Sequence, residues 1–157
     1  MPDQIRVERT IRAKAAELYA LVTDLARMGD WSPENTGGKW LNGASGPVVG
    51  ARFKGSNRSG RFRWNTDVVV TVAQPGEEFG FDVTLGPFKV ANWHYRFEQP
   101  DGTEGATTRV VETWTDHRVP VFGTIGSLFI GVRDRPGRNR QNMEATLANL
   151  AAAVEVD

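Results

Sequence analysis

The sequence contains no cysteine, and this absence excludes several kinds of chemistry at once. Disulfides, thiolate metal sites and thiol nucleophiles are all ruled out. An excess of one charge is missing as well, because 19 basic and 19 acidic residues cancel to a formal net charge of zero. A neutral chain has no overall field to draw it onto a polyanion, so we do not expect nucleic-acid binding.

Long apolar runs are also missing. No stretch approaches the roughly 18 apolar residues of a membrane-spanning helix, and no signal-like apolar run precedes Arg6. We therefore expect a cytoplasmic protein without membrane insertion. His94 and His117 have no partner at metal-ligand spacing, and phosphate-binding glycine motifs are absent, so neither a metal nor another cofactor is predicted.

The residues that are present fit one globular domain over 1–157. A hydrophobic fraction of 39% and a charged fraction of 24% are ordinary for such a domain. A chain of 157 residues is long enough to remove about two thirds of its unfolded surface from water. A sizeable core is therefore expected.

The end of the chain predicts a long amphipathic helix over Asp134–Val154. Its apolar residues recur at steps of four, three and four, which places them in one stripe: Met143, Leu147, Leu150 and Val154. When the same spacing is extended towards the N-terminus, Phe129 falls on the stripe. A stripe this long needs a partner surface, so it predicts a large concave apolar face elsewhere in the molecule.

Earlier in the chain the pattern predicts one strand, two short helices and six more strands. The first strand spans Gln4–Ile11, and helical spacing follows over Ala13–Thr23 and Leu25–Met28. The later strands are predicted at Gly38–Leu41, Gly50–Gly55, Arg61–Ala73, Glu77–Leu85, Phe88–Gln99 and Thr107–Val119. Turn dipeptides such as Pro75-Gly76 lie between several of them, and such short connections imply antiparallel neighbours.

Alternation within these strands collects most aromatic residues on one face of the predicted sheet. The opposite face carries charged residues, as in an antiparallel sheet with one side in water. The inward aromatic residues include Trp64, Phe79, Phe81, Trp93, Tyr95 and Trp114.

Several short motifs accompany this order of elements: Asp24-Leu25, Trp31-Ser32-Pro33-Glu34, Val111-Glu112-Thr113-Trp114, Asn139-Arg140 and Met143-Glu144-Ala145-Thr146-Leu147. With these motifs, the sequence resembles the START-like, or SRPBCC, superfamily. Within it the sequence looks most like bacterial proteins of the polyketide cyclase/dehydrase or lipid-transport type. The resemblance implies an α+β helix-grip (Bet v 1-type) fold. In it a seven-stranded curved antiparallel sheet wraps around a long C-terminal helix, two short helices follow strand 1, and an elongated cavity lies inside.

Two interpretations of the aromatic face stay open. The rings either line a ligand pocket, which is typically apolar with a few directed polar groups, or simply fill the core. Asn139 lies close to the apolar stripe of the helix and either directs a hydrogen bond inward or makes a local contact. The predicted ligand-binding residues are Trp31, Trp64, Phe79, Phe81, Trp93, Tyr95, Trp114, Phe129, Asn139 and Met143.

Glu112 is the candidate catalytic residue, because alternation puts it between Val110 and Trp114 on the inward face. An unpaired carboxylate there is costly. Three interpretations therefore stay open. Glu112 is paired with an arginine such as Arg52 or Arg61, or it faces a cavity and its own pKa is raised. Alternatively, the register of the strand differs by one residue and Glu112 lies in solvent.

Three functions follow from these interpretations. The preferred one is binding of a small hydrophobic or amphipathic molecule, such as a lipid, polyketide or isoprenoid, by a monomer or homodimer. The alternative is a polyketide cyclase or dehydratase in which Glu112 moves protons. An interaction module that binds protein through its outer face or the Trp31 loop is the third. Binding is preferred because the sequence shows no acid/base pair.

Overall fold

The computed structural model describes residues 4–99, 107–117 and 135–155, except the side chains of residues 135 and 136. One antiparallel sheet has the strand order β1-β7-β6-β5-β4-β3-β2. Its strands are β1 Gln4–Ile11, β2 Asn35–Trp40, β3 Arg52–Ser59, β4 Phe62–Gln74, β5 Glu78–Leu85, β6 Phe88–Glu98 and β7 Thr108–Asp116. The helices are α1 Ala15–Thr23, a 3-10 helix Leu25–Asp30 and α2 Arg135–Val154.

The predicted helix-grip fold is confirmed, but several strand boundaries differ from the prediction, most of all at the start of β2 and the end of β3. β2 begins at Asn35 and β3 continues to Ser59, because backbone pairing of β3 with β4 extends to the Ser59–Phe62 pair. Backbone hydrogen bonds join β3 to β4 here, and they form whether or not apolar and polar side chains alternate. Side-chain periodicity therefore does not predict this part of β3. Phe129 and Asp134, the first residue of the predicted helix, lie outside the described residues.

The register of the sheet aligns the aromatic residues in rows that cross the strands. In one row Trp93 lies opposite Phe81 on one side and Trp114 on the other. In the next row Tyr95 lies between Phe79 and Glu112. Neighbours along a row have their Cβ atoms about 5 Å apart, so each row forms a continuous band on the inward face.

Helix α2 presses its apolar stripe onto this inward face. Met143, Leu147 and Leu150 are 0%, 1% and 0% exposed. Helix α2 contacts β1 most extensively and β7 next. The carboxylate of Glu155 accepts a hydrogen bond from the backbone nitrogen of Arg12 at 2.8 Å, which ties the end of α2 to the end of β1. The helix therefore packs mainly along the β1 and β7 edge of the sheet, and Asn149 also bonds the loop before β2.

The two short helices close other parts of the inward face. Helix α1 approaches β5 and β6, and the 3-10 helix approaches β2 and β3. Tyr19 of α1 makes edge-to-face contacts with Phe79 at 6.3 Å and Phe97 at 5.9 Å between ring centroids. None of the helices in these described segments has the length and apolar character needed to cross a bilayer.

Replacing Leu147 with alanine is expected to destabilise the fold by about 2–5 kcal/mol, because it opens a cavity in the seam between α2 and the sheet. Gln141→Ala is the matched control on the exposed side of α2 and is expected to change the free energy of unfolding by less than about 0.5 kcal/mol. Urea denaturation followed by circular dichroism measures both. Equal effects of the two substitutions would contradict this packing.

Candidate functional site

A cavity of about 590 Å³ lies on the inward face of the sheet. The cavity is lined by residues of the 3-10 helix, of strands β2 to β7 and of the first half of α2. The volume falls within the range of roughly 300–1,000 Å³ that is usual for small-molecule pockets. The space is large enough to hold one small organic molecule.

Aromatic rings form much of the apolar wall of this cavity. Trp64, Phe81, Trp93 and Trp114, all predicted as ligand-binding residues, line it together with Val68 and Val83. The rings of Trp93 and Trp114 are 6.4 Å apart between centroids and inclined at 46°. These four rings support the pocket interpretation of the aromatic face.

Three other predicted residues fill the core instead of lining the cavity. Phe79, Tyr95 and Met143 are 0%, 3% and 0% exposed and are not among the described lining residues. Phe79 packs between Tyr19 and Phe81. The two interpretations of the aromatic face therefore both hold, each for a different set of rings. Phe129, also predicted, lies outside the described residues.

Trp31 anchors its loop to the helices. Its side chain is 4% exposed, and the guanidinium of Arg27 lies 5.5 Å from the ring centroid. Its backbone carbonyl accepts a hydrogen bond of 2.8 Å from Asn149 of α2. Trp31 is not one of the described lining residues. It holds its loop against α2, and its neighbours Ser32 and Glu34 line the cavity.

Polar side chains line one part of the cavity, and the sequence analysis found only one of them. Asn139 was predicted, and it is 5% exposed. The polar lining residues that were missed include Ser32, Glu34, Asn35, Asn57, Thr66 and Asn142. A signal for Asn142 was present, since it lies three residues after Asn139 on the same helix face. Asn35 and Asn57 were missed because β2 was predicted to begin after Asn35 and β3 to end before Asn57. Ser32 and Glu34 precede β2, where no alternation marks the inward side chains.

Glu112 is buried in the core beside Tyr95. Its side chain is 1% exposed, and the Tyr95 hydroxyl donates a 2.7 Å hydrogen bond to its Oε1 atom. Its Oε2 atom has no hydrogen-bond partner among the residues that the structure describes. Arg52 and Arg61, the arginines considered as partners, are both exposed. Glu112 thus faces inward, with a tyrosine as its partner.

Burial raises the pKa of Glu112 to about 8, and the hydrogen bond from Tyr95 opposes this shift without cancelling it. Burial, together with the nearby Glu112 carboxyl, raises the pKa of Tyr95 well above its usual value. At neutral pH Glu112 is therefore mainly a neutral acid. Glu112 is not one of the described lining residues. Trp93 and Trp114, which belong to the adjacent row, line the cavity.

The fold and the inward cavity define the class: this is a START-like helix-grip domain. The chain belongs to the family described as polyketide cyclase/dehydrase and lipid transport, whose model matches residues 2–155. A comparison with curated proteins found no match.

Solved structures agree with this assignment. A Polyketide_cyc-like protein from Corynebacterium glutamicum, solved by NMR, is 31% identical, with a TM-score of 0.59; the match covers 99% of this chain and 94% of that one. A START superfamily protein from Mycobacterium smegmatis is 11% identical, with a TM-score of 0.70; the match covers 96% and 98%. The di-domain ARO/CYC protein BexL is 16% identical, with a TM-score of 0.67; the match covers 99% of this chain and 51% of that one. The last two likenesses concern the fold alone.

Replacing Glu112 with glutamine is expected to change how stability depends on pH. Between its ordinary pKa of 4.5 and its folded-state pKa of about 8, the folded protein keeps a proton that the unfolded chain releases. The free energy of unfolding of the wild type therefore falls as pH rises through this window, by at most about 1.4 kcal/mol per pH unit from this group. Glu112→Gln removes that contribution, which urea denaturation at a series of pH values measures.

Glu17→Gln provides the matched control, because Glu17 is exposed on α1 and the substitution makes the same chemical change. It is expected to keep the pH dependence of the wild type. If Glu112→Gln also kept it, the raised pKa of Glu112 would be contradicted.

Proposed function

We propose that this protein binds one small hydrophobic or amphipathic molecule, of the lipid, polyketide or isoprenoid class, in the inward cavity. The observation that carries the proposal is the cavity of about 590 Å³ with tryptophan and phenylalanine rings in its wall. Family membership supports it, because lipid transport is part of the family's description.

The chemistry of the wall favours an apolar guest. A molecule that enters removes its own apolar surface from water and makes dispersion contacts with the rings. Trp64 on β4, Phe81 on β5 and Trp93 on β6 lie on adjacent strands of one sheet, so they present a surface that exists before the ligand arrives. Such a preformed wall lowers the entropy cost of binding.

A second function, cyclisation or dehydration of a poly-β-ketone, is favoured by one observation. Glu112 has a pKa of about 8 and therefore holds a proton that it can donate near neutral pH. Binding remains the main proposal, because the described cavity lining does not include Glu112. Glu112→Gln separates the two: an enzyme would lose turnover of a poly-β-ketone, while a binding protein would keep its ligand affinity.

Filling the cavity is expected to block binding. Val83 lines the cavity, and Val83→Phe places a larger side chain in the space that the ligand needs. We expect the affinity for the neutral fluorescent probe N-phenyl-1-naphthylamine to fall at least about tenfold, which corresponds to about 1.4 kcal/mol. The enhancement of probe fluorescence on titration with protein measures this affinity.

Val69→Phe makes the same change on the opposite face of the sheet, since Val69 alternates with the inward residues Val68 and Val70. We expect this control to bind the probe as the wild type does. Thermal denaturation of both variants separates loss of the cavity from loss of the fold. A wild type that binds no probe, or equal binding by the two folded variants, would refute the proposal.

A further inference from the structure

We propose that two hairpin tips beside the opening of the cavity dock on the surface of an anionic lipid bilayer, with which the protein exchanges its ligand. This inference rests on the proposed binding function and adds the partner that supplies or receives the ligand. It is carried by the exposed apolar and basic side chains at one edge of the sheet.

The cavity opens at the edge of the sheet where these two hairpins turn. Asn65 on β4 and Leu85 on β5 are the exposed residues in the described lining, so solvent reaches the cavity near them. The turn between β3 and β4 follows Ser59, and the turn between β5 and β6 follows Leu85. Because β4 and β5 are antiparallel neighbours, the turn before β4 and the turn after β5 lie at the same edge.

Each tip carries an exposed apolar side chain on the cavity side of the sheet. Leu85 lines the cavity and is 58% exposed. Phe62 is 46% exposed and lies two residues before the lining residue Trp64, so alternation places it on the same face of β4. Exposed apolar side chains that are bordered by polar ones mark surfaces that contact a membrane or a protein. An apolar partner therefore fits this side of the tips.

Basic side chains lie at the tip of the hairpin formed by β3 and β4. Arg58 and Arg63 are exposed and directly opposite each other across the two strands, and Arg61 is exposed in the turn between them. The guanidinium of Arg58 donates a 3.1 Å hydrogen bond to the carbonyl oxygen of Gly60, which keeps this charge at the turn. Like charges directly opposite each other repel, so an anion that binds between them lowers the energy of the hairpin.

The positive charge is concentrated in this hairpin. Residues 55–66 and 83–91, which form the two tips, contain three arginines and Lys89 and no aspartate or glutamate. Lys89 pairs with Asp82 at 3.4 Å, so the arginines contribute most of the positive charge. The whole chain is neutral, and the field of the tips is therefore local, acting over roughly 10 Å in physiological salt.

An anionic bilayer matches both kinds of side chain. Arginine binds phosphate oxygens through its planar fork of donors, and apolar side chains enter the boundary between head groups and acyl chains. A nucleic acid offers phosphates but no acyl chains for Leu85. A bilayer also dissolves an apolar ligand, so a ligand that leaves the cavity at this edge enters the acyl chains without crossing water.

Vesicle binding tests the inference on the wild-type protein without added ligand. The protein is mixed with vesicles of phosphatidylcholine alone, or of equal parts phosphatidylcholine and phosphatidylglycerol, and the bound fraction is measured by sedimentation. We expect the affinity for the anionic vesicles to be at least about tenfold higher and to fall as salt is added. Equal affinity for the two vesicles, or binding to neither, would overturn the inference.

Two variants change the tips at positions outside the described cavity lining. The double variant Arg61→Gln/Arg63→Gln removes two charges and is expected to weaken binding to the anionic vesicles at least about tenfold. Phe62→Ser removes the apolar side chain and is expected to weaken it severalfold. Arginine-dependent vesicle binding that Phe62→Ser does not weaken, with equal affinity for a single-stranded oligonucleotide, would identify a general polyanion surface and overturn the inference.

Matched control variants lie away from the tips. Arg52 and Lys54 are exposed in the first half of β3, and Val49, which is 62% exposed, lies in the loop before β3. The double variant Arg52→Gln/Lys54→Gln and the single variant Val49→Ser are expected to bind vesicles as the wild type does. Losses equal to those of the tip variants would show that binding is not confined to the tips, which would also overturn the inference.

Probe binding separates this inference from the proposed function. Without vesicles, Arg61→Gln/Arg63→Gln and Phe62→Ser are expected to bind N-phenyl-1-naphthylamine as the wild type does, which also shows that they fold. Val83→Phe is expected to lose the probe and to keep vesicle binding. A wild type that binds vesicles but not the probe would refute the proposed function, whereas one that binds the probe but not vesicles would overturn the docking inference alone.

Discussion

Helix α2 is narrower than the sheet that it packs on, and the rest of the structure depends on this mismatch. Seven strands at about 4.8 Å spacing make a sheet roughly 29 Å across. An α-helix with its side chains is only about 10–12 Å wide. Because α2 contacts mainly β1 and β7, much of the inward face of the middle strands is left for other groups to cover. Helix α1 and the 3-10 helix cover part of it, and the remaining space is the cavity.

This arrangement divides the aromatic residues between two tasks. The row that runs from Phe79 through Tyr95 to Glu112 is buried, and its rings stabilise the fold. The adjacent row, from Phe81 through Trp93 to Trp114, borders the cavity. Glu112 is the polar exception in the buried row. The cost of burying it is reduced because it accepts a hydrogen bond from Tyr95 and because, with a pKa of about 8, it remains protonated at neutral pH.

The sequence was sufficient to predict the fold and the side of the sheet on which the site lies. Periodicity determines which face a side chain points to, so the stripe of α2, the aromatic face and the inward direction of Glu112 could all be predicted. Periodicity does not show how far along a strand the helix extends. For that reason Phe79 and Phe81, two residues apart on the same face, could not be separated into a core residue and a lining residue.

The polar end of the cavity was harder to predict for a different reason. Asn35 and Asn57 belong to strands that are paired through the backbone, and their side chains show no apolar alternation that marks a strand. Glu34 lies in the turn just before β2, where no periodicity applies. The direction of a loop residue such as Trp31 is set by contacts with distant parts of the chain, here Asn149, which no local pattern reveals.

A crystal structure of the protein soaked with iodobenzene tests most directly whether α2 and the sheet leave an unfilled cavity, because the iodine atom gives an unambiguous anomalous signal. We expect an iodine site inside the space bordered by Trp64, Phe81 and Trp93, with the surrounding backbone unchanged. An interior with no iodine site, in which those three rings pack against α2 at ordinary core density, would show that there is no such cavity.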